Sequence, residues 1–456
     1  MTMDNIPTQK NKYFYFAALI GFGFLWTGTA YIVQAYRLLQ FLDGGTVNLL
    51  VCGAYYVCQA VGIGIVGLLF AKQPTIAGGR VIPFWATIIT VVCAAIALFL
   101  SAVPIIIAAG VLMNITIGVL SGCYLTRLAT DIPQQRRGIV FGVAYALGSI
   151  GTWLLSLPMN TKFLWSSVSF YAVAILAAAS LILLRYLSPP PKQDNNLEQR
   201  NPKFNKKIIW LAATVLFLLS LENTLGFSFP LKSASKSVYI EFTRAFYALG
   251  LIIAGFVSDK SRRWGAICCL AALAFPFAAL AHGNNAVGET AMWIIAYMFL
   301  GFWSTYRILL FSDISAKRAL PGLAVAGLLV GRLGEALGTF GASVLTGTSL
   351  IVASGVVFAL VIALFFSLYQ KIYSPTITAQ EMEKQQLLEY ANRFHLSLRE
   401  QEIFDLIVQG MSNIEIATAL FITESTVKFH VGNIFKKTGL SSRSALIADF
   451  TFYNKS

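Results

Sequence analysis

Apolar runs separated by short polar segments dominate the sequence up to about residue 370. Each run holds about 20 residues with few charges, which is the length of a helix that spans a bilayer. We predict twelve membrane-spanning helices, at residues 13–35, 46–70, 82–103, 105–126, 138–157, 164–187, 208–229, 238–257, 264–282, 290–310, 322–345 and 349–370. After the sixth run comes a polar stretch, 188–207, with four prolines that cannot continue a helix. The fold class is therefore all-α, with two sets of six helices joined by a linker.

The composition agrees with a membrane protein. Of the 456 residues, 57% are hydrophobic and only 12% are charged, which is more apolar surface than one soluble core buries. The six cysteines all lie in apolar runs without the spacing of a zinc site, so neither a disulfide nor a bound metal is indicated. The sequence has no phosphate-binding loop and no nucleophile–base spacing. We therefore predict no enzyme activity and no cofactor.

Basic residues are distributed unevenly between the predicted loops. If the N-terminus is cytoplasmic, four lie outside: Arg37, Lys162, Lys232 and Lys236. Nineteen lie inside before the tail: Lys10, Lys12, Lys72, Arg80, Arg127, Arg136, Arg137, Arg185, Lys192, Arg200, Lys203, Lys206, Lys207, Lys260, Arg262, Arg263, Arg307, Lys317 and Arg318. This is the positive-inside asymmetry that orients membrane proteins. We predict a multi-pass protein of the inner membrane with both termini in the cytoplasm.

The loop after the eighth predicted span carries a motif, Gly255-Phe-Val-Ser-Asp259-Lys260-Ser-Arg262-Arg263. With the six-plus-six layout, it resembles the major facilitator superfamily of secondary transporters, whose loop reads G-x-x-x-D-[RK]-x-x-R-R. The equivalent loop after the second span, 67–80, lacks the acidic residue but keeps Gly67, Lys72 and Arg80. The resemblance covers residues 10–372 and implies two six-helix halves, 1–187 and 208–371, joined by the linker 188–207.

Four ionisable residues inside the predicted spans are candidates for binding a ligand: Glu222, Arg244, Arg332 and Glu335. Charges are costly within a bilayer, so they usually face the interior of a bundle or a cavity. Glu335 lies about one turn after Arg332 on the same helix face, so a local ion pair is an equally good explanation. Small residues on the same span permit close helix packing or approach to a ligand: Gly322, Gly327, Gly331, Gly334, Gly338 and Gly341.

After Lys371 the composition becomes polar, and helix signals follow in close succession. Thr378 and Glu381 have the spacing of a capping box, which predicts a stalk helix within 372–392. This helix is either a coupling element or an inert spacer. From residue 393 onward, three caps and two glycine stops predict short helices: Ser397 with Glu400, Ser412 with Glu415, Thr423, Gly410 and Gly439.

The segment from Leu396 resembles the LuxR-type DNA-binding domain in its helix, tight turn and second helix, so 393–456 is predicted to be a four-helix domain of that type. On the helix after Thr423, Val427, Val431 and Ile434 form an apolar face. The resemblance implies that Lys428 and Phe429 touch base edges, while Thr423, Ser425, Thr426 and Lys437 hold the DNA backbone. Lys436 lies on the exposed face and also belongs to the predicted DNA surface. Gly432 departs from the family, in which a long side chain is usual.

These observations predict a membrane-embedded one-component transcriptional regulator, in which the bundle senses a small molecule and controls DNA binding by the tail. Its predicted partners are double-stranded promoter DNA, the lipid bilayer, an unidentified small molecule and, on DNA, a second copy of the chain. The alternative is a working transporter with a regulatory DNA-binding tail. The N-terminal spans argue against transport, since they contain no charge apart from Arg37 and Arg127, which are read as loop residues.

Overall fold

The computed structural model describes residues 9–157, 167–184, 206–229, 240–281, 286–318, 320–373 and 379–453. The chain divides into two compact units, Met1–Tyr373 and Ser374–Ser456. Helices make up nearly all of the described residues, and no strand occurs among them. The all-α fold class is therefore confirmed. Most of the predicted linker and the predicted cap at Thr378 lie outside the described residues.

In the first unit, the described residues hold eleven helices that are long and apolar enough to cross a membrane. A shorter apolar helix, Val168–Leu183, lies where the sixth span is predicted and borders undescribed residues. The count of twelve spans thus stays a prediction. The eleven are Tyr13–Leu38, Gly44–Lys72, Val81–Phe99, Val103–Asp131, Gln134–Leu155, Lys206–Phe227, Phe242–Lys260, Arg262–Ala281, Ala286–Arg318, Pro321–Val344 and Gly347–Tyr373.

Glycine allows the helices that surround the centre of this unit to pack backbone to backbone. A Cβ added at Gly327 would collide with the carbonyl oxygen of Arg307, and one at Gly334 would collide with that of Phe217. Small residues permit such close approach where lipid leaves no hydrophobic drive between helices. The glycines of the eleventh predicted span therefore serve helix packing, which brings the backbone of Arg307 against the helix that carries Glu335.

We call the helices before residue 185 the N-terminal half and those after residue 205 the C-terminal half. A network of hydrogen bonds and ion pairs around Asp259 joins the two halves. The backbone N–H groups of Gly138 and Ile139 donate hydrogen bonds of 2.7 Å to the two carboxylate oxygens of Asp259. Both belong to the first turn of their helix, where N–H groups have no partner within the helix. Arg262 binds Asp259 at 2.9 Å and Asp313 at 2.8 Å. The acidic residue of the predicted motif thus caps a helix of the opposite half.

The described residues of the second unit form five helices, of which the first lies where the stalk helix is predicted. Tyr390 and Ala391, on the first of its helices, are fully buried in the same core as Phe404 and Leu446. The helix predicted as a stalk therefore packs into the domain. The five helices are Ala379–Arg393, Leu398–Val408, Asn413–Ala419, Glu424–Thr438 and Arg443–Tyr453.

The predicted caps and glycine stops from Ser397 to Gly439 are confirmed. Ser397 and Ser412 each form a complete capping box with the glutamate three residues later. Gly410 and Gly439 adopt left-handed backbone conformations, with φ of 86° and 74°. Phe421, in the turn between the second and third of the predicted helices, is also left-handed, at φ 54°, and is 96% exposed.

Candidate DNA-binding surface and buried cavity

The helix Glu424–Thr438 has one buried face and one exposed face. Val427 and Ile434 are completely buried in the domain core. Exposed residues recur three or four positions apart on the opposite side, as expected for one face of a helix: Ser425, Phe429, Gly432 and Lys436. This face, with these four residues, is the candidate DNA-binding surface.

Hydroxyl groups gather at the start of this helix. Thr423 is the N-cap, and its Oγ1 accepts a hydrogen bond of 3.3 Å from the backbone N–H of Thr426. The same oxygen lies 2.8 Å from the hydroxyls of Ser425 and Thr426. Free N–H groups and hydroxyls at a helix N-terminus form a site for a phosphate group. Three of the four predicted backbone-holding residues are thus brought together.

Lys428 and Phe429 both extend into solvent beside each other. The ammonium of Lys428 pairs with Glu424 at 2.8 Å, and the lysine side chain is 63% exposed. An exposed pair of this kind contributes little free energy, so the ammonium is available to a stronger anion. Phe429 is 65% exposed and contacts His430 edge to face, with ring centroids 5.5 Å apart. An exposed apolar ring suits contact with a thymine methyl group in the major groove.

Lys437 points away from that face toward the preceding helices. Its Nζ donates to the carboxylate of Glu400 at 2.6 Å and to the carbonyl oxygen of His395 at 2.9 Å. Burial by itself would raise the pKa of Glu400, but the hydrogen bonds from Lys437 and Ser397 outweigh it and lower that pKa below its usual value. Lys437 therefore fixes the helix Glu424–Thr438, which we call the reading helix, to the capping box of the helix Leu398–Val408.

Tyr390 is a structural residue that the sequence interpretation missed. Its ring stacks on that of Phe404, with centroids 5.1 Å apart and planes 12° apart. Its hydroxyl donates a hydrogen bond of 2.5 Å to Asp449 on the last helix. Leu387, Tyr390, Ala391 and Phe394 recur at i, i+3, i+4 and i+7, the periodicity that would have revealed a helix face packed in a core.

In the first unit, two of the candidate ligand residues form the predicted local ion pair, but a third residue joins them. Arg332 binds one oxygen of Glu335 at 2.7 Å. Arg307 binds the other oxygen at 2.5 Å. Arg307, predicted to be an inside-loop charge, is 3% exposed and lies within the helix Ala286–Arg318. That prediction is wrong because the helix extends far beyond the expected residue 310, and the carboxylate of Glu335 offsets the cost of burying the guanidinium.

The other two ligand candidates lie on different helices from this trio. Glu222 is buried and accepts a hydrogen bond of 2.6 Å from Ser354, while its neighbours Asn223 and Thr224 line a cavity. Arg244 ends the short helix Ile240–Arg244 and is half-buried.

The N-terminal half contains a buried charge that was read as a loop residue. Arg127 is 4% exposed and pairs with Asp131 at 3.0 Å within the helix Val103–Asp131. The pair offsets its own charge.

Two adjoining cavities share Tyr56, Tyr145, Arg307 and Arg332 in their walls. One has a volume of about 190 Å³ and the other about 360 Å³. Both halves contribute to the walls, and most of the remaining lining is aromatic or apolar. Aromatic lining residues beyond the shared tyrosines include Phe24, Tyr31, Phe141, Phe227, Tyr247 and Trp303.

Comparison with known proteins identifies the second unit. Residues 395–449 match the family model described as bacterial regulatory proteins, luxR family. The spore germination protein GerE of Bacillus subtilis (strain 168) is 39% identical over 61 residues, which are 13% of this chain and 82% of that protein. Through this domain, the chain belongs to the luxR family of bacterial regulatory proteins. The helix Glu424–Thr438 is thus the second helix of the helix-turn-helix in a LuxR-family domain.

The LuxR-family domain is similar to part of several longer regulators. The nitrate/nitrite response regulator protein NarL of Escherichia coli (strain K12) is 54% identical over 48 residues, which are 10% of this chain and 22% of that protein. The transcriptional regulatory protein DegU of Brevibacillus brevis is 34% identical over 84 residues, 17% of this chain and 36% of that protein. The chain thus spans about a third or less of the length of these two relatives.

The first unit has the fold of the major facilitator superfamily. A structure of the proton:xylose symporter XylE, a member of that superfamily, superposes with a TM-score of 0.59 at 14% identity, covering 81% of this chain and 97% of that one. The nucleoside transporter NupG superposes with a TM-score of 0.51 at 15% identity, covering 80% of this chain and 100% of that one. At these identities the likeness concerns the fold alone. The predicted fusion of a LuxR-type domain with a transporter-like bundle is confirmed.

Proposed function

We propose that the chain is a membrane-embedded one-component transcriptional regulator, whose transporter-like bundle senses a small molecule and controls DNA binding by its own LuxR-family domain. The observation that carries this proposal is the continuity of one chain from a transporter fold with a charged, aromatic cavity into a LuxR-family domain with an exposed reading face. A small molecule in the cavity regulates only if it binds two bundle conformations with different affinities.

The positions of these side chains support the roles that we propose on DNA. Phe429 and Lys428 lie where a helix in the major groove meets base edges, and the hydroxyl cluster from Thr423 to Thr426 meets a phosphate. Lys436 adds a phosphate contact from the same face. Lys437 positions the reading helix through Glu400, and its remaining proton is available to the DNA backbone. Two chains on adjacent half-sites pair through the last helix, Arg443–Tyr453.

This function requires the LuxR-family domain to face the cytoplasm. The positive-inside asymmetry supports a cytoplasmic-membrane protein with both termini inside. Alkaline phosphatase fused after Lys371 should be inactive, whereas a fusion after Lys232, in a predicted outside loop beyond the described residues, should be active. The reverse pattern would place the domain away from DNA and exclude the proposal.

The deciding experiment is chromatin immunoprecipitation of the full-length chain from cells grown with and without a library of small molecules. We expect discrete sites whose occupancy changes with at least one compound. Lys428→Ala should lower occupancy of these sites and alter the preferred sequence, while Arg332→Gln should leave the sites bound but remove the response to the compound. Occupancy that no compound and no bundle variant alters, together with uptake by the chain in proteoliposomes, would favour a transporter with a DNA-binding tail.

A further inference from the structure

The trio in the cavity wall has one positive charge in excess. Glu335 is the shared acceptor of Arg307 and Arg332, so two guanidinium groups face one carboxylate. Both oxygens of Glu335 are occupied. A cationic ligand would meet this excess of positive charge and a carboxylate that is already engaged at both oxygens, whereas an anion would neutralise the trio.

Within the part of the chain that the structure describes, each guanidinium also has a nitrogen without a hydrogen-bond partner. The buried Nε atoms of Arg307 and Arg332 have no hydrogen-bond partner among the described residues. Arg307 is 3% exposed overall, and both arginines line both cavities. A guanidinium carries five N–H donors and matches a carboxylate with two parallel hydrogen bonds. Glu335 accepts from one nitrogen of each guanidinium, so both arginines keep donors beyond that contact.

Flat aromatic surfaces surround these donors. The guanidinium of Arg332 lies 4.3 Å above the ring of Tyr56, and that of Arg307 lies 4.0 Å above Trp303. Tyr31 stacks on Tyr56, with ring centroids 6.3 Å apart and planes 19° apart. Rings of this kind pack well against a planar aromatic partner.

We propose that the cavity binds an aromatic carboxylate. Its carboxylate takes the free edges of Arg307 and Arg332, and its ring packs between Tyr56, Tyr145 and the other aromatic walls. The combined volume of the two cavities accommodates a single ring with a short side chain. This inference rests on the proposed function, because it names the class of signal that the bundle would sense.

The test measures binding to the purified full-length chain in lipid nanodiscs, without DNA. The probes are benzoate, 4-hydroxybenzoate and cinnamate, each paired with its neutral amide, together with cyclohexanecarboxylate and benzylamine. Thermal stabilisation and quenching of tryptophan fluorescence, to which Trp303 contributes, report binding. We expect at least one acid to bind about tenfold or more tightly than its amide, since a charge-assisted hydrogen bond is lost. Cyclohexanecarboxylate should bind more weakly than benzoate, and benzylamine should not compete.

Two variants give effects of opposite sign. Arg332→Gln should weaken binding of the acid by about tenfold or more while leaving its amide unchanged. Glu335→Gln releases both guanidinium groups and should strengthen binding of the acid. Lys371→Gln, which removes one positive charge at an exposed site outside the cavity lining, is the matched control and should change neither affinity.

Equal binding of acids and amides by the wild type, or no binding of any acid, would overturn the assignment even if both cavity variants fail to fold. The two proposals also fail separately. If an acid binds in nanodiscs but leaves chromatin occupancy unchanged, the sensing proposal is contradicted and the proposed ligand class stands. Occupancy that responds only to neutral or cationic compounds contradicts the ligand class and keeps sensing.

Discussion

Tyr390 donates a hydrogen bond of 2.5 Å to Asp449, and this contact ties the first helix of the LuxR-family unit to its last. The last helix is the one proposed to pair two chains on DNA. The first helix, Ala379–Arg393, is the described element that follows the bundle in sequence. A change in the first helix would therefore reach the pairing surface directly, without passing through the reading helix.

Tyr390→Phe removes this hydrogen bond but keeps the ring stacked on Phe404. We expect amide hydrogen exchange in the helix Arg443–Tyr453 to become faster, by the equivalent of about 1.5–3 kcal/mol for a lost bond to a charged acceptor. Thr451→Val, which removes a hydroxyl from an exposed position of the same helix, is the control and should leave exchange in the core of the domain unchanged. Equal protection in wild type and Tyr390→Phe would show that the contact contributes nothing to this coupling.

The candidate DNA-binding surface predicts different consequences for the loss of Lys428 and for the loss of Lys436. Lys428→Ala should cost about 1–3 kcal/mol of binding free energy and alter base preference, if this side chain reads a base edge. Lys436→Ala should weaken binding to all sequences and lower the salt dependence by about one unit, as for one lost phosphate contact. Fluorescence anisotropy of the full-length chain in nanodiscs, titrated with an operator at several salt concentrations, separates the two. Lys371→Ala is the control, and wild-type affinity in both variants would refute the surface.

The contact between Lys437 and Glu400 predicts that the LuxR-family domain becomes less stable in acid. The folded-state pKa of Glu400 is lowered, mainly by the hydrogen bonds from Lys437 and Ser397, which overcome burial. A lowered pKa stabilises the fold above the unfolded value of about 4.3, and this stabilisation is lost as the pH falls through the folded value. The unfolding of the domain should thus become easier below that pH. In Glu400→Gln this part of the pH dependence should disappear, as measured by hydrogen exchange across a pH series.

Asp259→Asn tests the connection between the two halves of the bundle. The amide keeps the volume of the carboxylate but no longer accepts two charge-assisted hydrogen bonds from Gly138 and Ile139. Each such bond contributes about 1.5–3 kcal/mol, so the population with the halves separated at this face should rise. Spin labels at the exposed positions Gln135 and Lys260 can measure that separation by pulsed electron resonance. Arg263→Gln, in the same loop, is the control, and an unchanged distance distribution in Asp259→Asn would contradict the role of this cap.

Local signals allowed the sequence to predict the LuxR-family domain closely. Each cap depends on residues three positions apart, and each glycine stop on one backbone conformation, so Ser397, Glu400 and Gly439 could be interpreted without knowledge of the tertiary fold. The membrane spans were predicted from length and apolar character, which are also local properties. Even the ion pair between Arg332 and Glu335 followed from their spacing on one helix.

Long-range contacts were harder to predict from the sequence than these local features. Arg307 and Glu335 lie 28 positions apart on different helices, so no periodicity links them, and the basic side chain was assigned to a loop by its distance from the expected end of a span. Asp259 and Gly138 lie in opposite halves. Tyr390 was missed for a different reason, since its apolar repeat was present but was interpreted as a short stalk. Lys437 has the charge expected of a phosphate contact, but the acidic partner that turns it inward comes from another helix.

The shared acceptor in the cavity has a kinetic consequence. Because Glu335 already holds one nitrogen of each guanidinium, an anion that binds the free edges meets arginines whose charge is partly neutralised. It therefore binds less tightly than it would to two unpaired arginines, which favours rapid release over tight retention. Drawing Arg307 toward the anion would also loosen its contact with Glu335, which links the helices Ala286–Arg318 and Ala326–Val344. Occupancy of the cavity would then follow changes in concentration on the timescale at which promoters must respond.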